Sequence, residues 1–253
     1  MADWGRLRRC LCWILCLLLP CVLMSAAQAV DDVPLEHAGN DVSDRMSLQR
    51  GVQLYMNYCV GCHSLKYLRY SRIAADLGLS EVQVMSTLNV TGAKFGDKIM
   101  TGMPVDTSEQ WFGKIPPDLS LVARVRGSDW IYTYLRSFYV DSTRPLGWNN
   151  RLFVNVSMPN PLSHLQGVQR AKYGGASQAG ADRLVTGLVL VQPGQQNPAE
   201  FDQTLRDIVN FLQYAAEPAA LQRHSLRVWV LLFLVLLTFL VYLLKKAYWE
   251  DVH

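Results

Sequence analysis

A chain of 253 residues has room for one globular domain with membrane segments, not for two full domains. Half of its residues are hydrophobic, and two long apolar runs largely explain that share. Between those runs Val30–Ser225 carries 18 acidic and 18 basic residues, so the segment is neutral and has no electrostatic footprint for nucleic acid; the overall charge of +3 comes from the basic flanks of the runs.

In chain order, Arg6, Arg8 and Arg9 form a basic n-region and Leu11 to Leu23 an apolar core, followed by the small-residue site Ala27-Gln28-Ala29. This is the pattern of a secretory signal over residues 1–29, cleaved before Val30. The alternative is a retained anchor, but the run is short of the ~20 apolar residues a span needs. Cys21 follows Leu-Leu-Pro and lacks the small residue a lipoprotein signal wants before it. Cys10, Cys12, Cys16 and Cys21 leave with the signal, so the exported domain, residues 30–225, keeps only Cys59 and Cys62. Val30 to Asp44 is acidic and polar and reads as an extended arm.

Arg50 to Asn57 reads as a short helix, with Val52, Tyr55 and Met56 as its apolar stripe. It leads into Cys59-Val60-Gly61-Cys62-His63, the C-x-x-C-H pattern of covalent haem attachment. Two thiols three positions apart lie on one side of a single helical turn, where each can form a thioether with a porphyrin vinyl group. The histidine that follows can bind iron from one axial side. A zinc site would need more soft ligands, and no cysteine follows Cys62; a thiol redox pair would sit in a βαβ context, and none is visible. One covalently attached haem c is therefore expected, and it claims both thiols, so a disulfide framework is excluded.

Beyond the motif, Ser64 to Asp76 is rich in Tyr, Arg and Lys. Ser80-Glu81-Val82-Gln83 fits a capping box, starting a helix through about Leu88. Asn89 to Pro117 reads as loop, with Pro116-Pro117 extended. Ser128 is expected to cap a helix over Asp129–Val140, dense in aromatics (Trp130, Tyr132, Tyr134, Phe138, Tyr139) that pack in the core and against a porphyrin face. Pro159 to Gly194 reads as irregular, with Gly174-Gly175 as a turn and Leu184 to Val191 as a strand. Asn197-Pro198-Ala199-Glu200 is a helix start with cap, N1 proline and N3 acid. Phe201, Leu205, Ile208, Val209 and Leu212 give that helix one apolar face, its expected partner is the helix before Cys59, and Pro218 ends it. Val228 to Leu244 is about 17 residues without a charge, long enough at ~1.5 Å each to cross a bilayer with flanking side chains snorkelling. Lys245 and Lys246 mark the cytoplasmic end. The expected layout is an anchor over 226–246 and a cytoplasmic tail over 247–253.

A haem that only carries electrons needs both axial positions filled, and a soft methionine thioether raises its potential. Met56 and Met85 fall within helices. Met103-Pro104 and Met158-Pro159 each place a methionine before a rigidifying proline in a loop. Spacing after His63 would suit Met103, and residue chemistry leaves the two open.

Arg50-Gly51 before the motif, Cys62-His63-Ser64-Leu65, Ile115-Pro116-Pro117-Asp118-Leu119-Ser120, Arg124, and Ala215-Ala216-Glu217-Pro218 before a final span together resemble cytochrome c1 of the bacterial type, the haem subunit of the quinol–cytochrome c reductase (bc1) complex. The resemblance covers essentially the whole exported domain and the tail. It implies a mainly α fold: a cytochrome c-like haem domain with long loops and a small β element, plus one C-terminal transmembrane helix. In that family the methionine ligand follows an Asn-x-x-Phe element, which Asn150-Arg151-Leu152-Phe153 matches, so the resemblance assigns Met158. It likewise implies that Arg124 pairs with a haem propionate and that Pro117 and Trp130 line the pocket. The family often has Gly-Met-Ala-Pro at the ligand, where this chain has Ser157-Met158-Pro159-Asn160.

The function the resemblance implies is an electron relay in the inner membrane, with its haem domain in the periplasm. A Rieske iron–sulfur protein, reduced by quinol at cytochrome b, delivers one electron, and a soluble or tethered cytochrome c accepts it. No nucleophile–base pair is visible, so no bond-making chemistry is expected of this subunit. The rival readings are a membrane-anchored cytochrome of another complex, such as an oxidase subunit, and a haem-based periplasmic sensor. About nine residues follow Leu244, too few for a sensor's output domain.

Overall fold

A computed structural model describes residues 33–174 and 185–250 of the chain. Contacts divide the chain into two units, Met1–Pro34 and Leu35–His253, and the elements below all belong to the second. The signal segment over residues 1–29, the second half of the Gly174-Gly175 turn and the last three residues lie outside the described residues.

In order the elements are α1 (Arg45–Tyr58), β1 (Leu65–Arg69), α2 (Tyr70–Leu77), α3 (Glu81–Thr87), β2 (Lys98–Ile99), α4 (Val105–Phe112), α5 (Val122–Val125), α6 (Ser128–Arg136), β3 (Phe138–Val140), β4 (Trp148–Asn150), α7 (Ser163–Gln166), β5 (Gly167–Tyr173), β6 (Val185–Pro193), α8 (Pro198–Ala216) and α9 (Ala220–Trp249). The strands form three antiparallel pairs, β1–β2, β3–β4 and β5–β6. This is the mainly helical domain with long loops, a small β component and a C-terminal apolar helix that the resemblance implied.

The core is built where α1 crosses α8. Leu48, Val52, Tyr55 and Met56 of α1 are buried together with Leu205, Ile208, Phe211 and Leu212 of α8, and the rings of Tyr55 and Phe211 lie 5.5 Å apart. Gly51 permits the crossing: a β-carbon there would sit 2.1 Å from the Asp207 carbonyl oxygen and 2.7 Å from Cβ of Phe211. Beside it Asp207 is buried, and an isolated carboxylate there would be costly. It is held by Arg50 through Nε at 2.6 Å and Nη2 at 2.9 Å, by the Ser47 hydroxyl at 2.7 Å and by Gln203 at 3.0 Å. A two-pronged guanidinium pair of this kind fixes the rotation of one helix against the other as well as their contact.

Several elements form as the residues dictate. Ser80 and Gln83 make a reciprocal capping box on α3, and Asn197 with Glu200 makes another on α8 behind Pro198. Asp44 caps α1, which starts five residues before the predicted lead-in helix.

Others differ. The predicted helix over Asp129–Val140 stops at Arg136, because Phe138-Tyr139-Val140 leave it to pair with Trp148–Asn150. These β-prone residues gain ladder hydrogen bonds, and Phe138 and Tyr139 remain buried. Ser128 is the first residue of α6 and not its cap; Gly127, at φ 88°, holds the cap position, and the Ser128 hydroxyl reaches Gln213 instead. Within the predicted loop Asn89–Pro117, Val105–Phe112 is helical although its cap position is Pro104, which offers no side-chain acceptor. Gly167–Tyr173, read as irregular, is the strand that completes a hairpin with β6.

The arm before α1 is tied to α6: Asp129 accepts the Ala38 amide at 2.8 Å, and Thr133 accepts that of Glu36 at 2.8 Å. At the other end, Leu226–Trp249 within α9 forms 24 residues long and apolar enough to cross a membrane. At ~1.5 Å per residue it exceeds the ~30 Å of a bilayer's hydrocarbon core.

Two stability predictions follow from these contacts. Gly51→Ala should lower the unfolding free energy by about 1–3 kcal/mol, because the new methyl meets backbone and not a flexible side-chain end; a thermal melt unchanged from the parent would contradict the close crossing. The Ala38 amide, and His37 beside it, hold the Asp129 carboxyl below its ordinary pKa. The stabilisation is present at neutral pH and lost as pH falls through that depressed value. Asp129→Ala should therefore cost about 1 kcal/mol or less at pH 7, and the difference from wild type should close in acid. A gap in melting temperature that stays constant from pH 7 to pH 3 would rule this out.

Candidate functional site

Cys59 closes the C-terminus of α1, its amide bonded to the Tyr55 carbonyl. The next residues make one further closed turn, with the amides of Cys62 and His63 both donating to the Cys59 carbonyl, at 3.0 and 2.8 Å. The two cysteines and the histidine thus sit on a turn fastened directly to α1, one of the two helices whose crossing builds the core. Tyr55, fully buried, donates its hydroxyl to the His63 carbonyl at 2.7 Å and locks the turn from below.

The Pro-Pro-Asp-Leu-Ser segment explains itself in the same place. Its Asp118 accepts the Lys66 amide at 2.9 Å, the Leu119 amide donates to the Ser64 carbonyl at 2.9 Å, and the Ser120 hydroxyl accepts the Tyr67 amide at 3.2 Å. These bonds lay the segment along the start of β1 and bring the Pro117 carbonyl to 2.7 Å from Nδ1 of His63. A carbonyl can only accept, so Nδ1 carries the proton and Nε2 keeps its lone pair for a metal. Burial, partly offset by the Pro117 bond and by Asp118, holds the imidazole below its ordinary pKa, which favours the neutral, ligating form.

A cavity of ≈ 500 Å³ opens over this turn, within the ~300–1,000 Å³ usual for cofactor pockets. Of the residues singled out in the sequence, Cys59, Cys62, His63, Pro117, Trp130 and Met158 all line it. The rest of its wall is mostly apolar, including Ile115, Ile131, Leu135, Val156, Leu162, Ile208 and Leu212, and among the described residues its formally charged lining side chains are Lys114 and Arg126. Met103 does not line the cavity; its amide is turned to the Thr101 hydroxyl at 3.2 Å. Met56 is packed in α1 and Met46 is exposed.

Arg124 is exposed on α5 and does not line the cavity; its charge adds to that of Arg223 in holding the Glu217 carboxyl below its ordinary pKa. The arginine at the cavity is Arg126, two residues on, with its guanidinium 4.9 Å from the centre of the Trp130 ring. The resemblance points to Arg124 alone, and nothing local distinguishes it from Arg126; which of the two reaches the cavity is set by the fold.

The donor set fits a c-type haem. Two free thiols and an oriented imidazole share one turn, a thioether lines the same cavity, the walls are mostly apolar, and two cations, Lys114 and Arg126, are among the lining residues. Burial, with Cys62 beside it, pushes the Cys59 thiol up to about 12, and burial raises Cys62 as well. Thiols held in the protonated form are poor redox nucleophiles, which argues against a thiol-exchange pair. Among the described residues no group of three or more His, Cys, Asp or Glu side chains could hold a metal ion by itself, as a zinc site would require.

A family model described as the Cytochrome C1 family matches residues 38–252. The chain is 51% identical over 219 residues to a cytochrome c1 of Allochromatium vinosum, covering 87% of this chain and 90% of that one. It is 43% identical over 237 residues to the ammonia monooxygenase gamma subunit of Nitrosomonas europaea, covering 94% and 95%. A cytochrome c1 of Rhodospirillum rubrum is 31% identical over 233 residues, covering 83% of each chain.

Tyr55→Phe removes the donor to the buried His63 carbonyl and leaves the ring packing in place. It should cost about 1–3 kcal/mol, the penalty for a buried acceptor left unmade. A denaturation midpoint equal to that of the parent would show that the turn does not depend on this bond.

Proposed function

The chain belongs to the cytochrome c1 family, and from that premise we propose that it relays single electrons from a Rieske iron–sulfur protein to a soluble or membrane-tethered cytochrome c within a quinol–cytochrome c reductase complex. What carries the reading is one cavity lined by Cys59, Cys62, His63 and Met158, with the second nitrogen of His63 already committed to Pro117.

Bound there, haem supplies a one-electron Fe(III)/Fe(II) couple. The side chains do the rest. Cys59 and Cys62 would hold the group covalently, each thiol adding its S–H across one vinyl double bond, an addition that needs no oxidant. His63 through Nε2 and Met158 through its sulfur would hold the iron, and with both engaged the site would offer no place for a substrate. The hydrogen bond from Nδ1 to Pro117 keeps the imidazole in one tautomer and one orientation through both oxidation states. Pro117 and Trp130 close the wall, and the apolar lining lowers the local dielectric and so raises the cost of the oxidised, more charged state. Arg126 and Lys114 line the cavity as partners for the propionates, a guanidinium being suited to a carboxylate fork. Arg124, implied by the resemblance for that role, would have to turn inward from its exposed position.

In the proposed topology residues 1–29 are removed as a signal, 30–225 lie in the periplasm, 226–246 cross the bacterial inner membrane beside cytochrome b, and 247–253 reach the cytoplasm. The likeness to an ammonia monooxygenase gamma subunit over nearly the full length supports a second reading, in which the same haem domain serves that enzyme. Co-purification separates the two: cytochrome b and Rieske partners with quinol-dependent reduction in one case, monooxygenase subunits in the other.

Met158→Leu should keep the haem attached, abolish the methionine–iron charge-transfer band and lower the midpoint potential by on the order of 100 mV or more, within the ~0.8 V that axial ligation spans. An unchanged potential with the band intact would refute the assignment and point to Met103.

A further inference from the structure

Tyr134 lies on the last turn of α6 and lines the same cavity, with its hydroxyl oxygen 3.5 Å from the sulfur of Met158, 24 residues further along the chain. A thioether has no hydrogen to give, so the phenol is necessarily the donor. The ring is held on both sides. Trp130 stacks on it at 5.0 Å with planes 10° apart, and Phe138 meets it edge-on at 5.0 Å.

The backbone of the same residue is tied to the segment that leads to Met158. Asn150, fully buried, donates its side-chain amide to the Tyr134 carbonyl at 2.8 Å, while its Oδ1 accepts the amides of Leu152 and Phe153 at 2.9 and 3.1 Å. Beyond the methionine, Asn160 accepts the Leu162 amide at 2.9 Å and donates to Gln166 at 3.0 Å. The loop is therefore fastened before and after Met158, and Tyr134 is the group that meets the sulfur itself.

We propose that Tyr134 is the positioning residue of Met158: its hydroxyl binds one sulfur lone pair, presents the other to the iron, and weakens the thioether as a donor so that the reduced state is favoured. This rests on the reading of Met158 as the second axial ligand. A sulfur that shares its electron density with a hydrogen bond stabilises Fe(III) less than a free one does, while the packed ring limits the directions in which the thioether can turn. The hydroxyl accordingly contributes to potential and to ligand retention without touching the metal.

The test is Tyr134→Phe in the full-length, membrane-extracted holoprotein, a change that keeps the ring between Trp130 and Phe138. Redox titration should show the Fe(III)/Fe(II) ratio at a fixed electrode potential rising by about twofold to tenfold, the reach of one modest hydrogen bond. The charge-transfer band should persist but be lost at lower alkaline pH than in the parent. An unchanged potential with an unchanged band overturns the proposal while leaving Met158 as ligand; a parent protein that has no such band overturns the ligand reading instead. Should the variant fail to assemble, the reduced parent decides. Its NMR spectrum should contain a slowly exchanging tyrosine hydroxyl proton with a cross-peak to the Met158 methyl, and a Tyr134 hydroxyl in fast exchange with solvent, lacking that cross-peak, counts against it.

Discussion

The close crossing of α1 and α8 at Gly51 is the constraint from which the site is built. Because no side chain separates the helices there, Asp207 can be buried against Arg50 and Ser47, and α1 ends at a fixed place in the core. The turn that carries Cys59, Cys62 and His63 begins at the residue that closes this helix, and its depth is set by Tyr55 one turn earlier. A second chain segment, Pro116 to Ser120, then meets the turn through backbone bonds to β1 and delivers a carbonyl to the imidazole. Position comes from the helix crossing, and orientation comes from the proline carbonyl.

Parts of this arrangement are legible in the residues because local chemistry has one outcome there. A reciprocal cap at Asn197 and Glu200, an apolar stripe from Phe201 to Leu212, and a C-x-x-C-H run all act over a turn or two of chain, and the structure has them where the sequence predicts. The pairing of α1 with α8 is also readable, since each offers a single apolar face. What could not be read depends on partners distant in sequence. Phe138 to Val140 continue the helical pattern of α6 and leave it only because Trp148 to Asn150 return beside them. Val105 to Phe112 has a weak start at Pro104, flanked by glycines that argue for loop, and yet folds as a helix. Between Met103 and Met158, spacing after His63 favours Met103, whereas the resemblance assigns Met158. The fold brings one of them into the cavity with His63 and leaves the other outside it.

The charge on the site follows the same logic. A neutral domain surrounds a cavity whose formally charged lining residues are both cations, Lys114 and Arg126, which matches a ligand that is apolar over most of its area and anionic at one edge. Arg126 is also engaged with the Trp130 face, its guanidinium 4.9 Å from the ring centre. Trp130, Tyr134 and Phe138 form one aromatic row on α6 and β3, and the middle member turns its hydroxyl on the Met158 sulfur. Ring packing and the contact with Met158 are thus served by residues of α6 and the strand that follows it, with Arg126 just ahead of the helix.

The central claim is that a haem is bonded to this polypeptide through Cys59 and Cys62 and ligated from both faces. A pyridine haemochrome spectrum of the purified, acid–acetone-washed chain tests it most directly. Two thioethers predict that the colour stays with the polypeptide at one haem per chain, with the spectrum of saturated ring substituents, and that the native ferrous form does not bind carbon monoxide. A chain left colourless by the wash, or one whose reduced form takes up carbon monoxide readily, would contradict it.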